Sequence, residues 1–133
     1  MKWNNFIDNT EAMTFTTPLP DARILSLAPP ELSSVLDIGC GYGRVLKHMH
    51  EMGYRDLTGI DVSEKLISRA QQLCPNVSYY VEDIESIQLE QRHDLILVMG
   101  IIEYILSDEN QRKFFDKISR ALNSNGHVLL ETF

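Results

Sequence analysis

The chain has 133 residues, which suits one domain, and its 44% hydrophobic and 23% charged residues predict a folded core. The net charge of −7 disfavours a nucleic-acid partner, because an acidic surface repels phosphate backbones. No apolar run is long enough to span a bilayer and the sequence opens with no secretory signal, so we expect no membrane partner and a cytoplasmic location. Cys40 and Cys74 follow no metal-ligand spacing, and no metal site is expected.

The first half of the chain predicts a short helix and then two strand–helix units. Pro29 and Gly53 end the first two helices, and Ser63 is the predicted N-cap of the third. The predicted elements are a helix at 21–28, a strand at 34–39, a helix at 43–52, a strand at 56–61 and a helix at 64–73. The predicted core faces of the last two helices are Val45, Leu46, Met49 and Met52, and Leu66, Ile67, Ala70 and Leu73.

The second half continues the alternation. Strands are predicted at 77–82 and at 94–99, and the nearly all-apolar second run is typical of the centre of a parallel sheet. A helix starts at Ser107, buries Phe114, Phe115, Ile118, Ala121 and Leu122, and is ended by Asn125-Gly126; a last strand follows at 127–133. This order predicts right-handed βαβ crossovers and a mainly parallel α/β sheet.

Three alternating glycines follow the first strand, where ligands of parallel sheets bind. Gly39, Gly41 and Gly43 allow a sharp turn and a close approach of backbone to a ligand, and the next helix offers free N–H groups. A plain tight turn is the alternative. Asp37 inside the preceding strand favours a ligand site.

Two further acids follow the second and third strands. Asp61 is placed to accept both ribose hydroxyls of a nucleotide, or else serves as a loop acid or an N-terminal helix charge. Val62 would lie against an adenine face, although ordinary packing explains it equally well. Asp83 and the Ile84 N–H would contact the adenine edge, with a turn aspartate as the alternative.

The glycine spacing separates the candidate cofactors. A dinucleotide fingerprint needs a glycine at position 44, which is Arg44, and no Gly-Lys-Ser/Thr run indicates a P-loop. The chain resembles class I S-adenosylmethionine-dependent methyltransferases of the small-molecule type over 35–133. The resemblance rests on VLDIGCGYG, GIDVSEKLISRA, PNVSYYVEDIESI, HDLILVMGIIEYI and ALNSNGHVLLET, in that order.

This resemblance implies a Rossmann-like three-layer sandwich with strand order 3-2-1-4-5 and S-adenosylmethionine as cofactor. The backbone of residues 39–43, including Cys40, would hold the methionine end of the cofactor, and Asp37 would order that loop. Asp61 and Val62 would contact the ribose and adenine, and Asp83 and Ile84 the adenine edge. Met99 and Gly100 would lie near the sulfonium.

The acceptor-side residues depart from the resemblance. The quinone-biosynthesis type carries E-V-L-E-H where this chain has GIIEY, so only Glu103 matches. Glu103 and Tyr104 either touch substrate or form a surface pair at a helix start, and no catalytic residue is assigned. We expect a small-molecule methyl acceptor.

The two ends of the chain carry the last expectations. Residues 1–30 are expected to form a lid or strap and 31–133 a cofactor-binding core, within one domain. The resemblance implies two further C-terminal strands, 6 and 7, so we expect either a truncated chain or a second subunit that covers the fifth strand as a homodimer. The alternative to an enzyme is a non-catalytic cofactor-binding module or partner subunit.

Overall fold

A computed structural model describes residues 19–131 of the chain, and within them one five-stranded sheet has the order β3-β2-β1-β4-β5. All neighbouring strands are parallel, which confirms the predicted fold and strand order. The elements are α1 (Asp21–Leu27), β1 (Ser34–Ile38), α2 (Arg44–Glu51), β2 (Asp56–Asp61), α3 (Glu64–Leu73), β3 (Ser78–Val81), β4 (His93–Met99), a 3-10 turn (Ile102–Tyr104), α4 (Asp108–Arg120) and β5 (Leu122–Glu131). The predicted N-terminal lid lies largely outside the described residues.

Side chains that alternate along the strands build a core on each face of the sheet. On one face Val35 and Leu97 pack with Leu46 and Met49 of α2 and with Ile67 of α3. On the other face β1 and β4 pack against α4 and the 3-10 turn, through Leu36, Ile38, Ile96, Val98, Ile102, Phe114 and Ile118. Because the strands are parallel, the carboxyl ends of β1, β2 and β4 lie at the same edge of the sheet.

The caps of two helices follow the sequence signals. The Ser63 side chain accepts a hydrogen bond from the Leu66 N–H at 3.2 Å, and Ser107 caps α4 by accepting from the Asn110 N–H at 3.0 Å. Each hydroxyl satisfies one of the free N–H groups of a first helical turn, so both helices start where predicted.

Two predictions about the elements are wrong. Leu73 is 39% exposed, because α3 ends there and its last turn lies beyond the packed face. Helix α4 ends at Arg120, and Leu122 already belongs to β5. Asn125-Gly126 therefore lies within β5, where the pairing with β4 shifts register between His93 and Leu95.

A buried polar network joins the amino ends of β1 and β4. The Ser34 hydroxyl lies 2.8 Å from His93 Nδ1, and the Ser34 N–H donates to Asp94 Oδ2 at 2.8 Å. Asn123 Nδ2 donates to Asp94 Oδ1 at 3.0 Å, which ties in the irregular start of β5. Burial lowers the pKa of His93, so the network holds a neutral imidazole. This histidine is a structural residue at the edge of the sheet opposite the glycine loop, residues 39–43.

Candidate functional site

The glycine loop joins β1 to α2 at the carboxyl edge of the sheet. Gly39, Gly41 and Gly43 have φ values of +80°, +58° and +90°, a region that other residues adopt only with strain. Gly43 is the N-cap of α2, so the loop leads directly into the helix N-terminus. The backbone N–H groups of that terminus are the kind that bind anionic groups.

The three glycines have different surroundings. A Cβ on Gly39 would lie 2.5 Å from Ile101 Cγ2, and one on Gly43 would lie 3.1 Å from both Ala70 Cβ and the Tyr79 hydroxyl. Close packing therefore explains these two positions. A Cβ on Gly41 would meet nothing within 4 Å, so its Cα borders open space. Gly41 is the glycine whose exposed backbone a ligand can approach.

Backbone hydrogen bonds fasten the start of the loop to β2. The N–H groups of Gly39 and Cys40 both donate to the Ile60 carbonyl, at 2.7 and 2.9 Å. The Cys40 side chain is 7% exposed and packs in the core beside Leu46 and Met49. Burial raises the pKa of its thiol, so Cys40 presents its backbone rather than a reactive sulfur to this edge.

Asp61 links the glycine loop to the start of α3. Its Oδ2 accepts the Gly41 N–H and its Oδ1 accepts the Ser63 N–H, each at 2.9 Å. Burial raises the pKa of Asp61, while these N–H donors lower it. The Val62 N–H is a third backbone donor that lowers this pKa. A carboxylate has about four lone-pair sites, so Asp61 retains capacity to accept a further hydrogen bond.

Asp37 lies beneath the loop as a second buried acid. It is 3% exposed, and burial raises its pKa to about 7, with a further increase from the charge of Asp61. The positive charge of Arg44, the first residue of α2, opposes this shift. Two neighbouring buried carboxyls make this edge electronegative, which suits a ligand with a cationic group.

Val62, Asp83 and Ile84 follow β2 and β3. Val62 is 39% exposed at the carboxyl end of β2, an apolar surface beside the buried carboxyl of Asp61. Asp83 is exposed, and its Oδ1 accepts the Glu85 N–H at 2.9 Å in a local turn. Ile84 packs against the core face that α4 covers. These contacts account for Asp83 as a turn residue and leave its second oxygen available to a ligand.

Met99 and Gly100 end β4. Gly100 has φ +69° and donates its N–H to the Glu131 carbonyl at 2.8 Å, while Met99 packs against the core beneath α2 and α3. The 3-10 turn that follows carries Glu103 and Tyr104, and Tyr104 is 38% exposed. This pair lies in a short turn instead of at the start of a helix.

Sequence reasoning missed three neighbours of the loop. Ile101 closes over Gly39, the Ser63 N–H holds Asp61, and the charge of Arg44 lowers the pKa of Asp37. From the sequence, Arg44 is considered only because it occupies the position where a dinucleotide fingerprint has a glycine. A basic residue at the first position of a helix, close in sequence to a strand acid, was the signal for this electrostatic effect.

Comparison with known proteins decides the family. The model of a family described as "Methyltransferase domain" matches residues 35–126, which hold the glycine loop, Asp61 and β4. The chain belongs to this methyltransferase domain family. The family resemblance read from the five motifs is therefore confirmed.

Similar proteins of this family act on different molecules. The chain is 28% identical over 102 residues to a malonyl-(acyl-carrier protein) O-methyltransferase of Bacillus cereus, with 74% of this chain and 37% of that protein covered. It is 29% identical over 100 residues to the human eEF1A lysine and N-terminal methyltransferase, with 71% and 14% covered.

A solved relative shows the same fold with a ligand. The N-methyltransferase NodS of Bradyrhizobium japonicum, in complex with S-adenosyl-L-homocysteine, matches at 27% identity and a TM-score of 0.69. The match covers 80% of this chain and 57% of that one. The chain thus spans less than two thirds of the length of each of these relatives.

Proposed function

We propose that this chain binds S-adenosylmethionine at the carboxyl edge of β1 and β2 and transfers its methyl group to a small-molecule acceptor. One observation carries the proposal: the Gly41 backbone borders open space while its N–H is held by the Asp61 carboxylate. The loop is thereby fixed in place with room for a ligand over it. The family and the ligand of NodS support this choice of cofactor.

The site residues divide by the part of the cofactor that each one suits. The backbone of residues 39–43 faces the methionine end, and Asp37 beneath it balances positive charge there. Backbone N–H groups already occupy some of the lone pairs of the Asp61 carboxylate and hold it in place. Asp61 accepts the ribose hydroxyls through the lone pairs that remain. Val62 offers an apolar face to the adenine. Asp83 accepts a hydrogen bond from the adenine amino group, and the Ile84 N–H donates to a ring nitrogen. Met99 and Gly100 border the sulfonium.

Catalysis at this site depends on positioning. The cofactor supplies a methyl group that its sulfonium has already activated. The chain holds that end against the rigid carboxyl ends of β1 and β4, so a nucleophile needs only in-line approach. A general base is needed only where the acceptor must lose a proton, and none of the residues above is assigned that role.

A small-molecule acceptor and a cytoplasmic location complete the proposal. The net charge of −7 works against an acceptor with a phosphate backbone. No helix among residues 19–131 has the length and apolar content required to cross a bilayer. The relative from Bacillus cereus is named as a malonyl-(acyl-carrier protein) O-methyltransferase, which makes an oxygen atom of an acyl group one candidate acceptor.

The test compares two glycine-to-alanine variants. In Gly41→Ala the new methyl group occupies the open space over the loop, and we expect at least about tenfold weaker binding of S-adenosylhomocysteine, ~1.4 kcal/mol. Gly53→Ala is the matched control. Its φ of +108° is also positive and strains alanine at least as much as the +58° of Gly41, but it lies after the end of α2, where a Cβ makes ordinary contact with Pro30.

Isothermal titration calorimetry and thermal unfolding are measured on the wild-type chain and on both variants. Both variants should lose stability, and only Gly41→Ala should lose affinity. A wild-type chain that does not bind S-adenosylhomocysteine, or two variants with equal affinity, would contradict the proposed site. Transfer of labelled methyl from the cofactor to metabolites of a cell extract then tests turnover.

We also infer self-association through β5. This strand is an edge of the sheet within the described residues, and its Val128 and Leu130 are 37% and 46% exposed. An apolar edge strand offers unpaired backbone groups to a second copy.

A further inference from the structure

Beyond the contacts that place the cofactor, one side chain of the glycine loop reaches α3. The Cζ atom of Arg69 lies 4.9 Å from the centroid of the Tyr42 ring, within the range of a cation–π interaction. Tyr42 stands between Gly41 and Gly43, so it is the one residue of that tripeptide with a side chain. The contact therefore acts on the part of the loop that borders open space.

This part of the loop needs an external restraint. Glycines lose more conformational freedom on ordering than other residues, and both neighbours of Tyr42 are glycines with positive φ. The Asp61 carboxylate holds the loop on one side through the Gly41 N–H. Within the loop, the Gly43 N–H also donates to the Cys40 carbonyl at 3.1 Å. These bonds join the loop to itself and to Asp61, and a further restraint toward α3 reduces the number of conformations open to the segment from Gly41 to Gly43.

Helix α3 supplies contacts on the other side. A Cβ on Gly43 would lie 3.1 Å from Ala70 Cβ, so the loop backbone lies directly against the turn of α3 that carries Arg69. The guanidinium then covers the Tyr42 ring next to this contact. The same helix begins at Ser63, whose N–H holds Asp61. Loop and helix are thus joined at Asp61 and again at Arg69.

We propose that Tyr42 and Arg69 are positioning residues, which hold the glycine loop against α3 in the conformation that binds the cofactor. The inference rests on the proposed function. Neither side chain is assigned a contact with the cofactor, and both act through the backbone of the glycine loop. An exposed cation–π pair of this kind changes an equilibrium by about two- to fivefold.

A double-mutant cycle on the chain tests this assignment. Binding of S-adenosylhomocysteine is measured by calorimetry for wild type, Tyr42→Ala, Arg69→Ala and the double variant. Each single variant should bind about two- to fivefold more weakly, and the double variant should bind no more weakly than the weaker single variant. Thermal midpoints should change little, because Arg69 is exposed on the surface.

Two conservative variants and one control exclude other causes. Tyr42→Phe keeps the ring and should restore wild-type affinity, whereas a role for the hydroxyl would leave it as weak as Tyr42→Ala. Lys65→Ala removes the same charge from another exposed position of α3 and should bind normally. The positioning role of Tyr42 and Arg69 would be wrong if the losses of affinity add in the double variant, or if the single variants bind like the wild type. Either result would leave the proposed cofactor site intact. A wild-type chain that binds no S-adenosylhomocysteine would overturn both proposals.

Discussion

At the scale of single residues, Asp37 is a buried acid that works against folding. Its folded-state pKa of about 7 lies above the ordinary value of 3.8, because burial in the core and the nearby charge of Asp61 make ionisation unfavourable. The folded chain therefore holds a proton that the unfolded chain releases between these two values. Stability from this group is present at low pH and is lost as the pH rises through about 7. The proposed cofactor carries a cationic group, which would compensate the charge of an ionised Asp37.

The expected decrease in stability with rising pH leads to a prediction for Asp37→Asn. The variant keeps the size of the side chain but cannot ionise. Linkage assigns to Asp37 a decrease in unfolding free energy of about 3 kcal/mol between pH 4.5 and 8, and this decrease should be absent in the variant. Urea unfolding at a series of pH values measures this slope. Asp116→Asn, on the exposed surface of α4, is the control and should follow the wild type. Equal slopes for wild type and Asp37→Asn would contradict the assignment.

The residues that sequence alone predicted are those with local signals. The glycine spacing and the strand-end acids placed residues 39–43 and Asp61 at one edge, and the structure brings them into contact. The contacts of Tyr42 with Arg69 and of Gly39 with Ile101 join residues far apart in the chain, with no periodic signal. Only the packing of α3 and β4 against the loop brings them together.

At the scale of elements, the start of α3 is both a helix cap and a support of the site. The Ser63 hydroxyl caps the helix and its N–H holds Asp61, whereas Ser107 caps α4 on the exposed surface. The two serines therefore have the same local role, but only Ser63 contacts the acid that also holds the glycine loop. A comparison of the two separates helix stability from support of the site.

Ser63→Ala and Ser107→Ala should each lose about 1 kcal/mol of unfolding free energy, the usual loss for an N-cap hydroxyl. Only Ser63→Ala should also bind S-adenosylhomocysteine a few-fold more weakly, because fraying of the first turn of α3 releases the N–H that orients Asp61. Chemical denaturation and calorimetry on the same samples provide both values. Equal affinities in the two variants would show that the Ser63 cap stabilises α3 without supporting the binding site.

Element order could be predicted from alternating periodicity, and element ends only where a cap or breaker was unambiguous. Ser63 and Ser107 satisfied that condition. Asn125-Gly126 did not, because the same dipeptide suits a helix end or an irregularity in a strand. The structure places it in β5, beside the buried network of His93, since β4 supplies a partner strand that the local sequence does not specify.

At the scale of the whole molecule, two opposing forces act on association. The net charge of −7 makes two copies repel each other, and that repulsion weakens as salt shortens the Debye length to about 10 Å at 0.1 M. Backbone pairing and apolar burial along β5 depend far less on salt. Self-association through this strand should therefore strengthen as the salt concentration rises.

Leu130→Lys tests whether β5 is the contact. A charge on this strand blocks pairing with a second copy, since the ammonium group would have to be buried without a partner. Leu32→Lys is the control, because Leu32 is 83% exposed ahead of β1 and undergoes the same chemical change. In sedimentation velocity at rising protein and salt concentrations, wild type and Leu32→Lys should shift toward a dimer and Leu130→Lys should remain a monomer. A wild-type chain that stays monomeric throughout would show that there is no such contact. A Leu130→Lys variant that associates as the wild type does would place the contact outside β5.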